Sequence, residues 1–297
     1  MPSRRFIPEI STTVRILSAT DSQIYMKYTD RIVVVETSTG IPQSHKFDSV
    51  YGPDYEQVSL HRLAVALTRL PGPHIVIGCG DTDLNVRNSL GTSVDESQCP
   101  GLVMALCVQL LETNEAFSLE CTLVQGGNEA RFHCEALPVK TRNHLTHFSE
   151  FFAAVNLHRR PETLYQVVRV TIYRNSVVEF IEIVDGTPCH YQPLFNFLRA
   201  ASLGIVAWET ATYIETFCGR DLLTAYIARR IKHQRATIHL MVTLNDCCPP
   251  NLLTSLLSTV LHAVGRLPEI ASTGTISKYP TRQRRHCLAV KLKPVKK

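Results

Sequence analysis

The chain has 297 residues, of which 44% are hydrophobic and 19% are charged, and its formal net charge is +5. This balance is that of a globular protein with ample apolar material for a core. No uninterrupted run of about eighteen apolar residues occurs, and the N-terminus lacks the apolar centre of a signal peptide, so we expect a cytoplasmic protein without a membrane span.

The first half of the chain alternates short β-branched runs with segments of helical spacing. Val58, Leu63 and Leu67 recur at the spacing of an amphipathic helix, which Pro71 ends. The predicted strands are 12–17, 23–27, 31–36, 46–51, 75–79, 117–124 and 131–136. The predicted helices are 57–70, 102–111 and 144–155.

The second half continues the alternation, with predicted strands at 165–173, 177–184 and 236–244. The predicted helices are 193–212, as one long helix or two, 221–232 and 249–264. Strands that alternate with helices predict a mixed α/β fold in which helices cover both faces of a central sheet. No linker divides the pattern. We therefore predict a single domain over residues 1–270, followed by a basic C-terminal tail over residues 271–297.

The stretch from His74 to Gly91 has the frame of a phosphate-binding loop. An apolar run over residues 75–79 reads as a buried strand, and the polar turn residues after Gly80 can begin a helix. In a working loop, a glycine is followed by four residues and then by Gly-Lys-Ser/Thr. The backbone N–H groups of such a loop wrap the phosphates.

The residues that phosphate chemistry requires are missing from this frame. Counting from Gly80, the second glycine position is Asn85, the lysine position is Val86 and the hydroxyl position is Arg87. The lysine neutralises phosphate oxygens and the hydroxyl holds Mg²⁺. Arg87 supplies a charge about 100° round the helix from the lysine position, and it cannot hold Mg²⁺.

Metal binding is the less favoured interpretation of the acidic and sulfur side chains. Asp81, Thr82 and Asp83 are typical of a turn and a helix N-cap, although the two carboxylates offer an alternative metal site. The ten cysteines include no Cys-x-x-Cys pair, and Cys79 and Cys107 lie in apolar runs, where they are expected to be small buried hydrophobes. We predict no metal and no cofactor.

Two basic clusters mark the charge pattern. One is the segment 229–235 (RRIKHQR), and the other extends from Lys278 to Lys297 without an acidic residue. Such clusters suit an acidic polymer or surface, which includes tubulin, nucleic acid and anionic lipid. The alternative is a solvated helix face and a disordered tail.

Several short motifs, in order along the chain, resemble those of the kinesin motor domain. They are Lys46–Pro53 (KFDSVYGP), Gly80–Thr82 (GDT), Gly101–Val103 (GLV), Ile183–Gly186 (IVDG), Leu203–Gly204, Gly219–Thr224 and Leu253–Val264. Each motif is weak alone, and their shared order carries the resemblance. It implies a kinesin-motor-like fold, derived from the P-loop NTPases, over nearly the whole chain.

The differences from the kinesin pattern concern the residues that bind and hydrolyse ATP in kinesins. The first switch, at 158–163 (HRRPET), lacks the serine pair that would contact the γ-phosphate and Mg²⁺, and the second switch keeps only Asp185 and Gly186. Asp185 is better explained as a turn cap than as a residual Mg²⁺ ligand. The resemblance therefore implies a pseudokinesin, with a motor-like fold that is not an enzyme.

The resemblance also indicates a partner surface, because the matching loop and helix of kinesins face the microtubule. The candidate residues are Arg220, Arg229, Arg230, Lys232 and Arg235. Cations there would meet the acidic tubulin surface in a contact that weakens with salt. The alternative is an exposed helix end whose basic residues favour the helix dipole.

Three functions follow from these patterns. The first is a catalytically inactive kinesin-like binding module on microtubules or on an active kinesin, in the cytoplasm and associated with the cytoskeleton. The second is a nucleotide-binding kinesin-like protein with weak ATPase, in which Arg87 and Asp185 form an improvised site. The third is a scaffold that binds nucleic acid through its basic tail.

Overall fold

The structure is a computed structural model, and it describes residues 6–18, 26–37, 40–52, 56–69, 72–90, 101–125, 132–139, 144–158, 163–172, 176–183, 188–208 and 221–271. The strands are β1 (Ile10–Leu17), β2 (Met26–Tyr28), β3 (Ile32–Val35), β4 (Gln43–Lys46), β5 (Ser49–Tyr51), β6 (His74–Gly80), β7 (Phe117–Gln125), β8 (Phe132–Val139), β9 (Thr163–Ile172), β10 (Ser176–Ile183), β11 (Thr237–Asn245) and β12 (Glu269–Ile270). The helices are α1 (Glu56–Arg69), α2 (Asp83–Leu90), α3 (Leu102–Glu112), α4 (His144–His158), α5 (Pro188–Ser202), α6 (Leu222–Gln234) and α7 (Pro250–Ala263).

A central mixed sheet of eight strands has the order β5-β1-β11-β6-β10-β9-β7-β8. β1 is parallel to β5 and β11, and β6 is parallel to β11 and β10. β9 is antiparallel to both of its neighbours, β10 and β7. Every residue of β6 is buried, as expected for a central parallel strand that is covered on both faces.

Helices cover both faces of this sheet, which confirms the predicted fold class. Side chains alternate along each strand, so Ile75 and Ile77 of β6 join one hydrophobic core while Val76 joins the other. The first core also contains buried residues of α5, α6 and α7. The second contains buried residues of α1, α2, α3 and α4.

A second, smaller sheet is a feature that the sequence pattern did not reveal. Its order is β12-β4-β3-β2, and all its pairs are antiparallel. The single extended piece predicted over residues 46–51 is wrong, because β4 ends at Lys46 in this sheet and β5 begins at Ser49 in the central one. Buried Phe47 lies at the break, where its N–H bonds to the Arg31 carbonyl oxygen.

The helix predicted over residues 193–212 is also corrected. α5 begins earlier, at Pro188, and ends at Ser202. Gly204 follows with φ +68°, and the Ile205 N–H reaches back to the Ala200 carbonyl oxygen, a bond typical of a Schellman helix end. In the described part of the chain, no helix is both long and apolar enough to span a membrane.

Candidate functional site

Parallel strands β1, β11, β6 and β10 end along one edge of the central sheet, the edge at which open α/β sheets bind their ligands. The predicted phosphate loop lies there, after β6. Gly80 is the last residue of β6 and pairs with Thr243 of β11, and α2 begins at Asp83. Only Asp81 and Thr82 connect the strand to the helix. The helix thus begins directly after the turn residues that follow Gly80, and this connection is too short to form a loop that wraps a phosphate.

Close packing explains the glycines of β6. A Cβ atom on Gly80 would lie 2.5 Å from the Thr243 carbonyl oxygen and 2.9 Å from Val86 Cγ2. A Cβ atom on Gly78 would lie 2.7 Å from Leu90 Cδ1. These glycines let α2 lie directly on the sheet. Val86, at the lysine position of a working loop, is 2% exposed and belongs to the core.

The polar groups between β6 and α2 bind one another. The Thr82 hydroxyl accepts a hydrogen bond from the Asn85 N–H at 3.2 Å, so Thr82 is the N-cap, within the turn where the sequence predicts a helix start. One Asp81 carboxylate oxygen accepts from the Asn85 side-chain amide at 2.8 Å, and the other accepts from the Asn245 N–H at 3.0 Å. A carboxylate of the chain itself thus lies at the start of α2, where a phosphate-binding loop receives an anion.

The guanidinium of Arg87 is directed to the sheet. Its Nε lies 3.5 Å from the carboxylate of Glu182 on β10, whose side chain is 1% exposed. On the same helix, the Ser89 hydroxyl accepts a hydrogen bond from buried Arg15 of β1 at 2.9 Å. Both arginines connect α2 to neighbouring strands. Arg87, which the sequence suggested as the cation of an improvised phosphate site, forms an internal ion pair with Glu182.

Other predictions for this edge concern residues outside the described ones: Asp185 and Gly186, and most of the first switch. The described residues hold no group of three or more histidine, cysteine and acidic side chains placed for a metal ion. The predicted burial of Cys79 and Cys107 is confirmed, and burial raises the pKa of the Cys79 thiol to about 12. Cys79 and Cys107 therefore pack as small buried hydrophobic residues.

Helix α6 carries the predicted basic cluster. Asp221 caps it by accepting a hydrogen bond from the Thr224 N–H at 2.8 Å. Arg229 is exposed, Lys232 is partly exposed, and Arg235 ends the helix in the left-handed conformation at φ +55°. The Arg235 guanidinium lies 3.8 Å from the centre of the Phe6 ring, a cation–π contact. Arg220 and the tail beyond Ala271 fall outside the described residues.

Arg230 differs from its neighbours, because it is an internal residue. Its side chain is 18% exposed and donates from Nε to Glu179 Oε2 at 2.9 Å and from Nη2 to Glu179 Oε1. Tyr226 Oη also donates to Glu179, at 2.8 Å, as does Arg169 Nε, at 2.9 Å. The network engages Arg230 Nε and Nη2 and gives this residue an internal role, while its predicted contact with a partner stays a prediction.

Sequence reasoning missed Glu179, Tyr226 and Arg169, although one signal was present. β9 and β10 form a hairpin in which Ile172 pairs with Ser176, and this register sets Arg169 opposite Glu179. Opposite charges at facing positions of a predicted hairpin indicate a cross-strand ion pair. The helix partners Tyr226 and Arg230 could not be assigned that way.

No protein-family model matches the chain, and no curated protein matches it. Solved structures of kinesin motor domains do resemble it. The Drosophila kinesin family member Kin10/NOD, in complex with divalent manganese and ADP, superposes with a TM-score of 0.58 at 13% identity, covering 86% of this chain and 97% of that chain. Drosophila NOD in complex with AMPPNP gives 0.61 at 12% identity, covering 88% and 99%. The chain therefore has the fold of a kinesin motor domain.

Proposed function

We propose that this protein is a kinesin-like binding module that does not hydrolyse ATP. The observation that carries the proposal is the two-residue connection between β6 and α2, in which Asp81 and Thr82 bind the donors that would otherwise meet a phosphate. Phosphoryl transfer depends on positioned cations and donors around the phosphates. Here the lysine position holds buried Val86, and Arg87 is paired with Glu182.

The partner that we propose is an acidic protein surface, and tubulin in the microtubule is our choice. Arg229, Lys232 and Arg235 are outside the Glu179 network and lie on the last turns of α6. Long-range attraction between such cations and an acidic surface speeds association and weakens as salt screens it. The corresponding location is cytoplasmic, on the cytoskeleton.

Co-sedimentation with taxol-stabilised microtubules over a salt series tests this proposal. We expect the protein to pellet with microtubules at low ionic strength, with binding that weakens steadily as salt is added and that does not change with added ATP or ADP. Absence of pelleting at the lowest salt would reject tubulin as the partner. Binding to an active kinesin, the other candidate, would then be tested by pull-down with purified motor domains.

A second candidate function is nucleotide binding without efficient turnover. It is favoured by the two NOD structures, which hold ADP and AMPPNP respectively. A thermal-shift titration with ATP, ADP and GTP, with and without Mg²⁺, separates the two functions. Stabilisation that requires Mg²⁺ would support this second candidate, and steady turnover of ATP by the pure protein would overturn the first.

A further inference from the structure

Strand β10 carries two buried glutamates on opposite faces of the sheet. The side chains of Glu179 and Glu182 are each 1% exposed. They are three positions apart, an odd spacing, which directs them to opposite faces. Glu182 pairs with Arg87 of α2, whereas Glu179 binds α6. One strand therefore contacts the helix of the phosphate edge and the basic helix through a buried carboxylate on each face.

The carboxylate of Glu179 is fully used by its neighbours. Arg230 and Tyr226 approach it from α6, and Arg169 approaches from β9 and also donates to Glu120 of β7 at 3.0 Å. Burial alone raises the pKa of Glu179, but the hydrogen bonds and charge of Arg230, with those of Tyr226 and Arg169, outweigh it, so its pKa is lowered overall. The carboxylate is thus ionised and bound on several sides.

Such a network constrains how α6 can lie on the sheet. Tyr226 and Arg230 are four residues apart and share one face of the helix, so both reach the same carboxylate. A shift of one residue moves a helix by about 1.5 Å and turns it by about 100°, which would carry both donors away. A buried carboxylate without partners is strongly unfavourable. The same shift would turn the buried apolar residues Ile227 and Ile231 away from the core, and the directional hydrogen bonds to Glu179 add to that constraint.

We propose that Glu179 is a positioning residue that fixes the register of α6 on the sheet and thereby presents Arg229 and Lys232 on a surface that does not move. Glu179 touches no partner itself and acts through Arg230 and Tyr226. The fixed register follows from the contacts described above. The consequence for partner binding rests on the proposed function.

Glu182 supplies a matched control for this proposal, because it lies on the same strand, is equally buried and is paired with a different helix. We would compare Glu179→Gln with Glu182→Gln by hydrogen exchange and mass spectrometry. In E179Q, the amides of 222–234 should exchange at least about tenfold faster, with those of 83–90 little changed. E182Q should show the reverse. Equal acceleration in both helices by both variants would overturn the proposal, as would an unchanged α6 in E179Q.

Tyr226→Phe is a milder variant in case E179Q does not fold. It removes one hydrogen bond to Glu179 and should accelerate exchange in α6 several-fold while leaving α2 unchanged. An unchanged α6 in Y226F would also count against the proposal.

Microtubule co-sedimentation, at a temperature where all variants are folded, adds a readout that stability alone does not move. E179Q should bind more weakly than E182Q even where their melting temperatures are matched. Equal microtubule binding by E179Q and E182Q would show that Glu179 does not hold Arg229 and Lys232 in place for a partner. If the unaltered protein does not bind microtubules, the proposed function fails, while the exchange experiment still decides whether Glu179 positions α6.

Discussion

At the scale of the residue, side chains that suggest chemistry in the sequence prove to have structural roles. Gly80 leaves room beside β6 for Val86 of α2 and for the Thr243 carbonyl of β11, and Arg230 binds a buried glutamate. The reason is that close packing and ligand binding can each require a glycine. In the same way, an arginine can bind either an internal carboxylate or a ligand. Residue type alone does not separate these roles, whereas the distances to neighbouring atoms do.

Substitution of the β6 glycines tests the packing argument. Gly80→Ala should destabilise the protein by about 1–3 kcal/mol, because its Cβ would meet the backbone carbonyl of Thr243, which is held in the sheet. Gly78→Ala is the comparison, since its Cβ would meet the end of the Leu90 side chain and not a backbone atom. Urea denaturation should place G80A below G78A in stability, and the opposite order would contradict the role given to Gly80.

Buried histidines predict a loss of stability in acid. Burial lowers the pKa of His45 from its ordinary 6.5 to about 4, and burial together with the charge of His74 lowers that of His239 to about 4. Between pH 6.5 and 4 the unfolded chain therefore binds more protons than the folded one, so stability is full above pH 6.5 and falls as the pH drops.

Urea midpoints measured from pH 7.5 to 5 would follow this loss. In His45→Leu the acid-induced decrease should be smaller than in the unaltered protein, because one of the two histidines whose pKa is lowered to about 4 is gone. His233→Leu, at an exposed position of α6, is the control for loss of a histidine. A decrease of the same size in H45L as in the unaltered protein would show that His45 does not titrate in this way.

At the scale of the element, the length of a connection decides what the residues within it can do. A phosphate-binding loop and the β6–α2 connection have similar surroundings, since each joins a buried strand to a helix. In this chain the helix begins at Asp83, so the residues that would wrap a phosphate are helical or capping. Restoring the missing residue types would not restore the missing loop.

The triple variant Asn85→Gly, Val86→Lys, Arg87→Thr tests that statement. It restores the residue types of a phosphate loop, yet we expect no Mg²⁺-ATP-dependent thermal shift. We also expect a lower melting temperature, because the introduced ammonium would be buried against Gly78 and Gly80, and Glu182 would lose Arg87. A clear shift with Mg²⁺-ATP would show that the connection can still open into a loop.

At the scale of the whole molecule, the kinesin motor fold presents α6 as a basic helix on one face of the sheet. Only part of the basic cluster is available to a partner. Arg229 and Lys232 lie on the outer side, while Arg230 belongs to the inner network. The proposed binding surface therefore has fewer cations than the segment 229–235 contains, and substitutions on it should change binding without a large change in stability.

The double variant Arg229→Ala, Lys232→Ala should weaken microtubule binding roughly three- to tenfold at low salt and flatten its salt dependence. Its stability should stay within about 0.5 kcal/mol of the unaltered protein, as is usual for exposed positions. The control is the double variant Arg31→Ala, Lys46→Ala. It removes the same charge at two exposed positions in or beside the small sheet. If the two double variants weaken microtubule binding equally, then net charge alone explains the loss, and α6 is not a specific binding surface.

The sequence by itself determined most of the secondary structure and the fold class. Apolar periodicity is a local signal, so the buried run of β6 and the positions of α2 and α6 could be predicted from neighbouring residues. The absence of the lysine and the hydroxyl from the phosphate frame was also evident, because it depends only on spacing. The fold class followed from the order of the elements and from motifs that resemble kinesins.

Only the tertiary structure decided which side chains meet across elements. The pairing of Arg230 with Glu179, the bond from Asn245 to Asp81 and the break that sends β4 and β5 to different sheets all join residues distant in the chain. The physical reason is that hydrogen bonds and ion pairs require atoms within a few ångströms, and local propensity carries no information about distances between elements that are far apart in sequence.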